Sequence, residues 1–205
     1  MSKFSDILRS RKKSKGPLLD NQRVAFVATD GVEQIELIES WKAVENAGAE
    51  AELVSPKEDV VQGVEHLDRG QRFKVDRTIK TANANEYDAL VIPGGVTNPD
   101  SLRMNDDALR FIKDFFEQGK PVGVICHGPW TLVETGLVEG RTITSWPSLH
   151  TDITNAGGNW VDKEVVTDHG LVSSRSPKDL TAFCNKIVEE FAEGTHEEQA
   201  GRAAR

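Results

Sequence analysis

Short runs that are apolar throughout alternate along this chain with longer segments in which apolar residues recur every three or four positions. RVAFVAT (23–29) is β-branched and apolar and predicts a strand, whereas VEQIELIESWKAVENAG (32–48) has helical periodicity and closes on a glycine. AELVS predicts a second strand, and YDALVIPGG (87–95) a third that ends in a Pro-Gly-Gly turn. PDSLRMNDDALRFIKDFFEQGK (99–120) predicts a helix with Leu109, Ile112 and Phe116 on one face. PVGVIC (121–126) is a further strand, and HGPWTLVETG (127–136) a helix closed by Gly136. Strands without polar alternation are buried on both faces, and the amphipathic helices between them supply the cover. The pattern therefore predicts an α/β fold with a doubly wound, mostly parallel sheet flanked by helices.

Two segments fit the alternation less well. VEHLDRGQRFKVDRTIKT (64–81) is polar with scattered β-branched residues and predicts a hairpin or strand beside the main sheet. NWVDKEVVTDHGLVSSR (159–175) sets Asp-His-Gly between two apolar runs, as a hairpin turn would. In PKDLTAFCNKIVEEFAEG, the residues Leu180, Phe183, Cys184, Ile187, Val188 and Phe191 share a helical stripe, which makes Cys184 a small core residue. GTHEEQAGRAAR has no apolar period and predicts a frayed tail over 194–205. At the other end Lys3, Arg9, Arg11, Lys12, Lys13 and Lys15 stand against a single acid, Asp6. Residues 1–20 thus predict a basic mobile arm leading into one domain over 21–193.

Composition narrows the function classes. The 205-residue length suits one domain, and 38% hydrophobic with 28% charged residues is the balance of a globular chain. A net charge of −8 argues against general affinity for nucleic acid. No apolar run approaches the roughly 20 residues of a membrane helix, and charges break every apolar group in the first sixteen positions, where a signal peptide needs an unbroken one. A cytoplasmic protein with no nucleic-acid or membrane partner is expected, with Cys126 and Cys184 as free thiols.

The chemistry concentrates in VICHGPW (124–130). In an open parallel sheet, ligands bind beyond the carboxyl ends of the strands. Cys126 falls at such an end and just before a helix, where a tight turn exposes a nucleophile and the helix N-terminus lowers the thiol pKa. By spacing alone a buried strand-end cysteine is an equally good reading. Gly128 permits close approach and Pro129 suits a first helical turn. His127 is a candidate base, although neighbours on an elbow usually point apart. The glycines of PGG (93–95) are placed to offer N–H groups to an oxyanion.

DGVEQIELIE, DALVIPGG and the segment from GKPVGVICHGPW to SSRSPKDL together resemble the PfpI family of intracellular proteases or amidases. That family belongs to a superfamily that includes the parkinsonism-associated deglycase and the class I glutamine amidotransferases, with a flavodoxin-like fold. The resemblance covers about Arg23 to Phe191 and implies a cysteine-dependent enzyme of stress protection acting on amide, peptide or glycated and carbonyl substrates. It implies Cys126 as nucleophile and His127 as the histidine that follows it. Glu36 is then the helix acid that approaches the sulfur and donates to a thiolate when protonated. Gly95 and the His127 N–H take the oxyanion positions. Asp100 falls near an acid that reaches the histidine of an adjacent subunit in a homodimer or larger assembly. Here that acid is Asp rather than Glu, and the segment from Gly95 is one residue longer, so a plain helix N-terminal acid is an equal reading.

Other positions are read as ordinary. Glu33 is expected as an exposed helical acid, His66 and His150 as surface histidines, and Trp41, Trp130, Trp146 and Trp160 as packing residues, with Trp130 also a candidate pocket wall. SSRSPKDL lacks the His-x-Glu of a glutaminase, no zinc spacing occurs, and PGGV has no dinucleotide-binding pattern, so no metal and no cofactor is expected. The alternative to an enzyme is a redox-sensing or chaperone protein using the same Cys126. The adjacent His127 favours the enzyme.

Overall fold

The computed structural model describes residues 18–203. In chain order the elements are β1 (Arg23–Val27), β2 (Val32–Glu33), α1 (Gln34–Asn46), β3 (Glu50–Ser55), β4 (Val60–Glu65), β5 (Asp68–Lys74), β6 (Arg77–Thr78) and β7 (Ala89–Ile92). There follow α2 (Thr97–Leu102), α3 (Asp106–Glu117), β8 (Val122–Ile125), α4 (Pro129–Glu134), β9 (Thr142–Ile143), α5 (His150–Asn155) and β10 (Asn159–Trp160). The last are β11 (Val165–Asp168), β12 (Leu171–Ser174), α6 (Leu180–Glu193) and α7 (Glu197–Ala203).

The main sheet has the order β11-β12-β8-β7-β1-β3-β6, parallel except for the edge pair β11–β12. Period-2 alternation divides each inner strand between two cores. Ala25, Val27, Leu90, Ile92, Val122 and Val124 face the cluster that holds Phe111, Phe115 and Phe116 of α3. Val24, Phe26, Val91, Ile125 and Val172 face the cluster that holds Leu37 of α1 and Phe183 and Ile187 of α6. Helices thus cover both faces of a mostly parallel sheet, as the apolar strands predict.

The polar segment 64–81 contributes to a hairpin, β4–β5, in a separate sheet with β2. Asp-His-Gly does form the β11–β12 turn, with His169 and Gly170 at φ +46° and +86°, the mirror-image geometry that matches strand twist.

Several expectations need correction. The helix expected over 32–48 begins at Gln34, because Val32 and Glu33 pair with β4. The single helix expected over 99–120 is two, since Asn105 caps α3 by accepting the Ala108 N–H at 2.9 Å. Leu109 is half-buried, and the buried face is Ala108, Phe111, Ile112, Phe115 and Phe116. Cys184 is likewise half-buried at the edge of its stripe.

The tail expected to fray carries α7, which packs on α3. The His196 N–H donates to Gly119 O at 2.7 Å, and the buried Gln199 amide donates to Lys120 O. The basic cluster at 3–15 lies outside the described residues. Leu19, at the end of the expected arm, is fully buried and its N–H donates to Ala47 O at 2.8 Å. No helix among the described residues is long and apolar enough to cross a membrane.

Candidate active site

Three strand ends meet at the site: β1 running into Thr29–Gly31, β7 into Pro93-Gly94-Gly95, and β8 into Cys126. Cys126 has φ +62°, the left-handed region that a non-glycine residue rarely adopts and that marks a strained elbow. Its neighbours hold it there. The Cys126 N–H donates to Ser174 O at 3.0 Å, Trp146 N–H to Cys126 O at 2.9 Å, and Gly128 N–H to Ile125 O at 2.9 Å. A side chain at Gly128 would begin 2.8 Å from Ile92 O, so only glycine lets the elbow sit this close to β7.

The elbow aims the adjacent residues at each other. Cys126 Sγ lies 3.2 Å from His127 Nδ1, a contact that sequence reasoning left open. Burial drives the His127 imidazole down to about 4, so the ring is neutral at physiological pH. It lies between two indoles, stacked on Trp146 with centroids 5.6 Å apart and tilted against Trp130 at 5.4 Å.

Glu36 reaches the same point from the first turn of α1. It is fully buried, and its Oε2 accepts the Gly94 N–H at 2.8 Å. Its Oε1 has no hydrogen-bond partner of its own, and the carboxyl group lies against Cys126. Burial pushes the carboxyl up to about 8, against the pull of the Gly94 N–H, so Glu36 is protonated at neutral pH.

The expected lowering of the thiol pKa is not what this environment gives. Burial pushes the Cys126 thiol up and an ionised Glu36 pushes it further, while the N–H groups of Gly95 and His127 pull the other way. The helix that follows, α4, has only six residues. Protonation of Glu36 removes the repulsion and turns the carboxyl into a donor, so the pair carries one negative charge more readily than two. The amides of Gly95 and His127, facing the sulfur, are where an oxyanion formed beside it would be received. Gly95 has φ +81°, and a side chain there would collide with Gly31 O.

The profile of the DJ-1/PfpI family matches residues 22–190. The chain belongs to the DJ-1/PfpI family. It is 42% identical over 164 residues to "Putative cysteine protease YraA" of Bacillus subtilis, covering 80% of this chain and 94% of that one. It is 38% identical over 166 residues to "Deglycase PfpI" of Pyrococcus furiosus, covering 81% and 97%. Among solved structures, a two-domain protein with DJ-1/ThiJ/PfpI-like and ferritin-like domains from Anabaena variabilis superposes with TM-score 0.78 and 34% identity, over 82% of this chain and 47% of that one. Drosophila melanogaster DJ-1beta superposes with TM-score 0.77 at 23% identity, over 89% and 95%, a likeness of fold.

Within this DJ-1/PfpI fold the expected site residues divide. Cys126, His127, Glu36 and Gly95 come together. Asp100 is exposed on α2 and makes no hydrogen bond or ion pair with His127 inside the chain among the described residues. Glu33, expected to be exposed, is buried; its Oε2 accepts the His66 N–H at 3.0 Å and its Oε1 is unpartnered. The His66 ring is 84% exposed, and His150 is exposed with its ring edge-on to Trp160. Away from the elbow, Glu190, Glu193 and His196 bring candidate ligand atoms within 4.8 Å of one another, a grouping that a reading of His196 as tail overlooks. Glu190 Oε1 there accepts the Gly170 N–H at 3.1 Å and lies 3.4 Å from His196 Nε2.

Sequence reasoning passes over Asn98 and gives Trp146 only a packing role. Asn98 is fully buried: its Oδ1 accepts the Thr29 N–H at 2.7 Å and its Nδ2 donates to the carbonyls of Pro93 and Gly94 at 3.0 Å each. One side chain thereby ties the end of β1 to the Pro-Gly-Gly turn. Nothing in the residue pattern around Asn98 marked that role. Trp146 carried no signal for the site, since chain distance gives no hint that it stacks on His127.

Proposed function

We propose that this chain is a cysteine-dependent enzyme of stress protection that acts on small reactive carbonyl compounds and glycated groups, the deglycase-type activity named for its relatives. The observation that carries the reading is the 3.2 Å contact of Cys126 Sγ with His127 Nδ1 at a strained elbow. In the first step Sγ adds to the carbonyl carbon. The S–C bond forms as the C=O π pair moves to oxygen, and the thiol proton passes through His127 Nδ1 to that oxygen, giving a hemithioacetal. The Gly95 and His127 amides receive the developing charge, and protonated Glu36 steadies the sulfur until it attacks.

Two features support this over an amidase or peptidase. Cys126 and His127 are 6% and 7% exposed, an opening suited to a small carbonyl rather than to an extended peptide. A neutral His127 also makes a poor resting thiolate–imidazolium pair, so proton transfer must accompany attack on an electrophilic carbon. A redox sensor would not need the base.

Time-resolved consumption of methylglyoxal, a glycated peptide and an unfolded protein tests the reading. Methylglyoxal and the glycated peptide should be consumed; Cys126→Ser should fall to background, and His127→Ala should lose about 10²–10⁴-fold in kcat. If the wild type consumes none while mild peroxide converts Cys126 alone to the sulfinate, the sensor reading replaces this one.

A further inference from the structure

A pocket of about 690 Å³ is lined by Lys113 of α3, by Thr135 to Leu137 and Glu139 to Arg141 after α4, and by Arg202 and Ala203 of α7. Cys126, His127 and Glu36 are not among its walls. Its size falls within the roughly 300–1,000 Å³ of small-molecule sites. Three cations, Lys113, Arg141 and Arg202, line it against one acid, Glu139, although the chain as a whole carries −8.

Local carboxylates do not satisfy these cations. Arg141 is 1% exposed; its Nη1 donates to Asp168 O at 3.0 Å and lies 3.6 Å from Asp168 Oδ1. Arg202 Nη1 leans on the same Oδ1 at 3.4 Å and on Gly140 O at 3.1 Å. Two guanidinium groups thus share one carboxylate oxygen, and the other, Oδ2, accepts the Thr142 N–H at 2.8 Å. Arg141 Nη2 is buried with no hydrogen-bond partner. The guanidinium plane faces the Phe116 ring, 5.3 Å from its centroid, and a buried charged donor without an acceptor is costly. Lys113 has only a surface partner, Glu117, at 3.7 Å. Gly136 and Gly140 have open space where side chains would begin, leaving room for a ligand against the backbone.

We propose that this pocket is a second ligand site, which holds the phosphate group of a small phosphorylated molecule on Arg141, Arg202 and Lys113. Guanidinium forks match a tetrahedral oxyanion with paired hydrogen bonds, and a dianion compensates what the shared Asp168 leaves over. The remaining volume takes the body of the ligand, with Glu139 as acceptor for its hydroxyl groups. The site depends on α7, which brings Arg202 to the pocket.

Isothermal titration of the full chain with glucose 6-phosphate and with inorganic phosphate, at constant ionic strength with chloride as control, tests the site. Saturable binding of both is expected, tighter for the sugar phosphate, unchanged in Cys126→Ser, and weakened about tenfold or more in Lys113→Ala/Arg202→Ala. Both residues of that pair are partly exposed at the surface, so the double variant should fold, and the buried Arg141 is left in place. The proposal is overturned by an absence of saturable heat at millimolar ligand, by binding that survives the double variant, by loss of binding in Cys126→Ser, or by binding of inorganic phosphate without the sugar phosphate.

Discussion

A glutamate in the first turn of a helix is ordinarily ionised at neutral pH, yet burial pushes the Glu36 carboxyl up from 4.5 to about 8. Below pH 4.5 it is protonated in both folded and unfolded chains. Between about 4.5 and 8 only the unfolded chain is ionised, so stability falls as pH rises through that window, by about 3 kcal/mol at pH 7. Glu36→Gln should abolish this fall, so that its stability relative to the wild type rises with pH in urea unfolding; parallel pH profiles would mean that Glu36 folds ionised. Asn98 has its own signature. Asn98→Ala leaves the Thr29 N–H and the Pro93 carbonyl without their Asn98 partners and Gly94 O with only the Glu33 N–H, and should cost about 2 kcal/mol in denaturant unfolding. Because those groups shape the turn that ends in Gly95, kcat should fall more than KM rises. The family resemblance marked Glu36 as the acid near the sulfur, but its complete burial and the ties made by Asn98 were not legible from residue type, since a glutamate or an asparagine in a first helical turn is commonplace on surfaces.

Among the elements, the apolar runs of β1, β7 and β8 and the stripe of α6 were legible because periodicity reports burial directly. The break between α2 and α3 was not, because LRMNDD keeps helical composition and only the Asn105 cap reveals the interruption. The elbow between β8 and α4 depends on a close approach of β7. A side chain at Gly94 would start 2.6 Å from Cys126 Cβ and 2.8 Å from Glu36 Oε2. Gly94→Ala should therefore lower kcat by at least about tenfold, through misplacement of the reacting groups, and a mutant crystal structure should show Cys126 displaced. At the other end, α7 was not legible because, apart from Ala203 on the apolar core, the segment is held by polar contacts distant in sequence, through Gly119 and Lys120. Truncation after Gly194 should cost about 2 kcal/mol in thermal or denaturant unfolding and remove Arg202 from its pocket.

At the scale of the whole molecule, the main sheet brings the ends of β1, β7 and β8 together and leaves Asp100 on the surface. An exposed Asp100 fits the proposal that it serves the histidine of a second copy in a homodimer or larger assembly. Mixing Cys126→Ser with Asp100→Ala under exchange conditions should restore activity that neither variant has alone; no recovery would leave Asp100 as a helix N-terminal acid. The sequence by itself determined the fold class and the family, and marked Cys126 with its histidine neighbour as the candidate site, because strand burial, helical period and linked motifs are local properties of the chain. Only the tertiary structure decided that Sγ meets Nδ1, that Glu36 is protonated, that Asn98 ties two strand ends and that three cations line one pocket. Each of those depends on desolvation or on contacts between segments far apart in the chain, and neither is encoded in the spacing of residues along it.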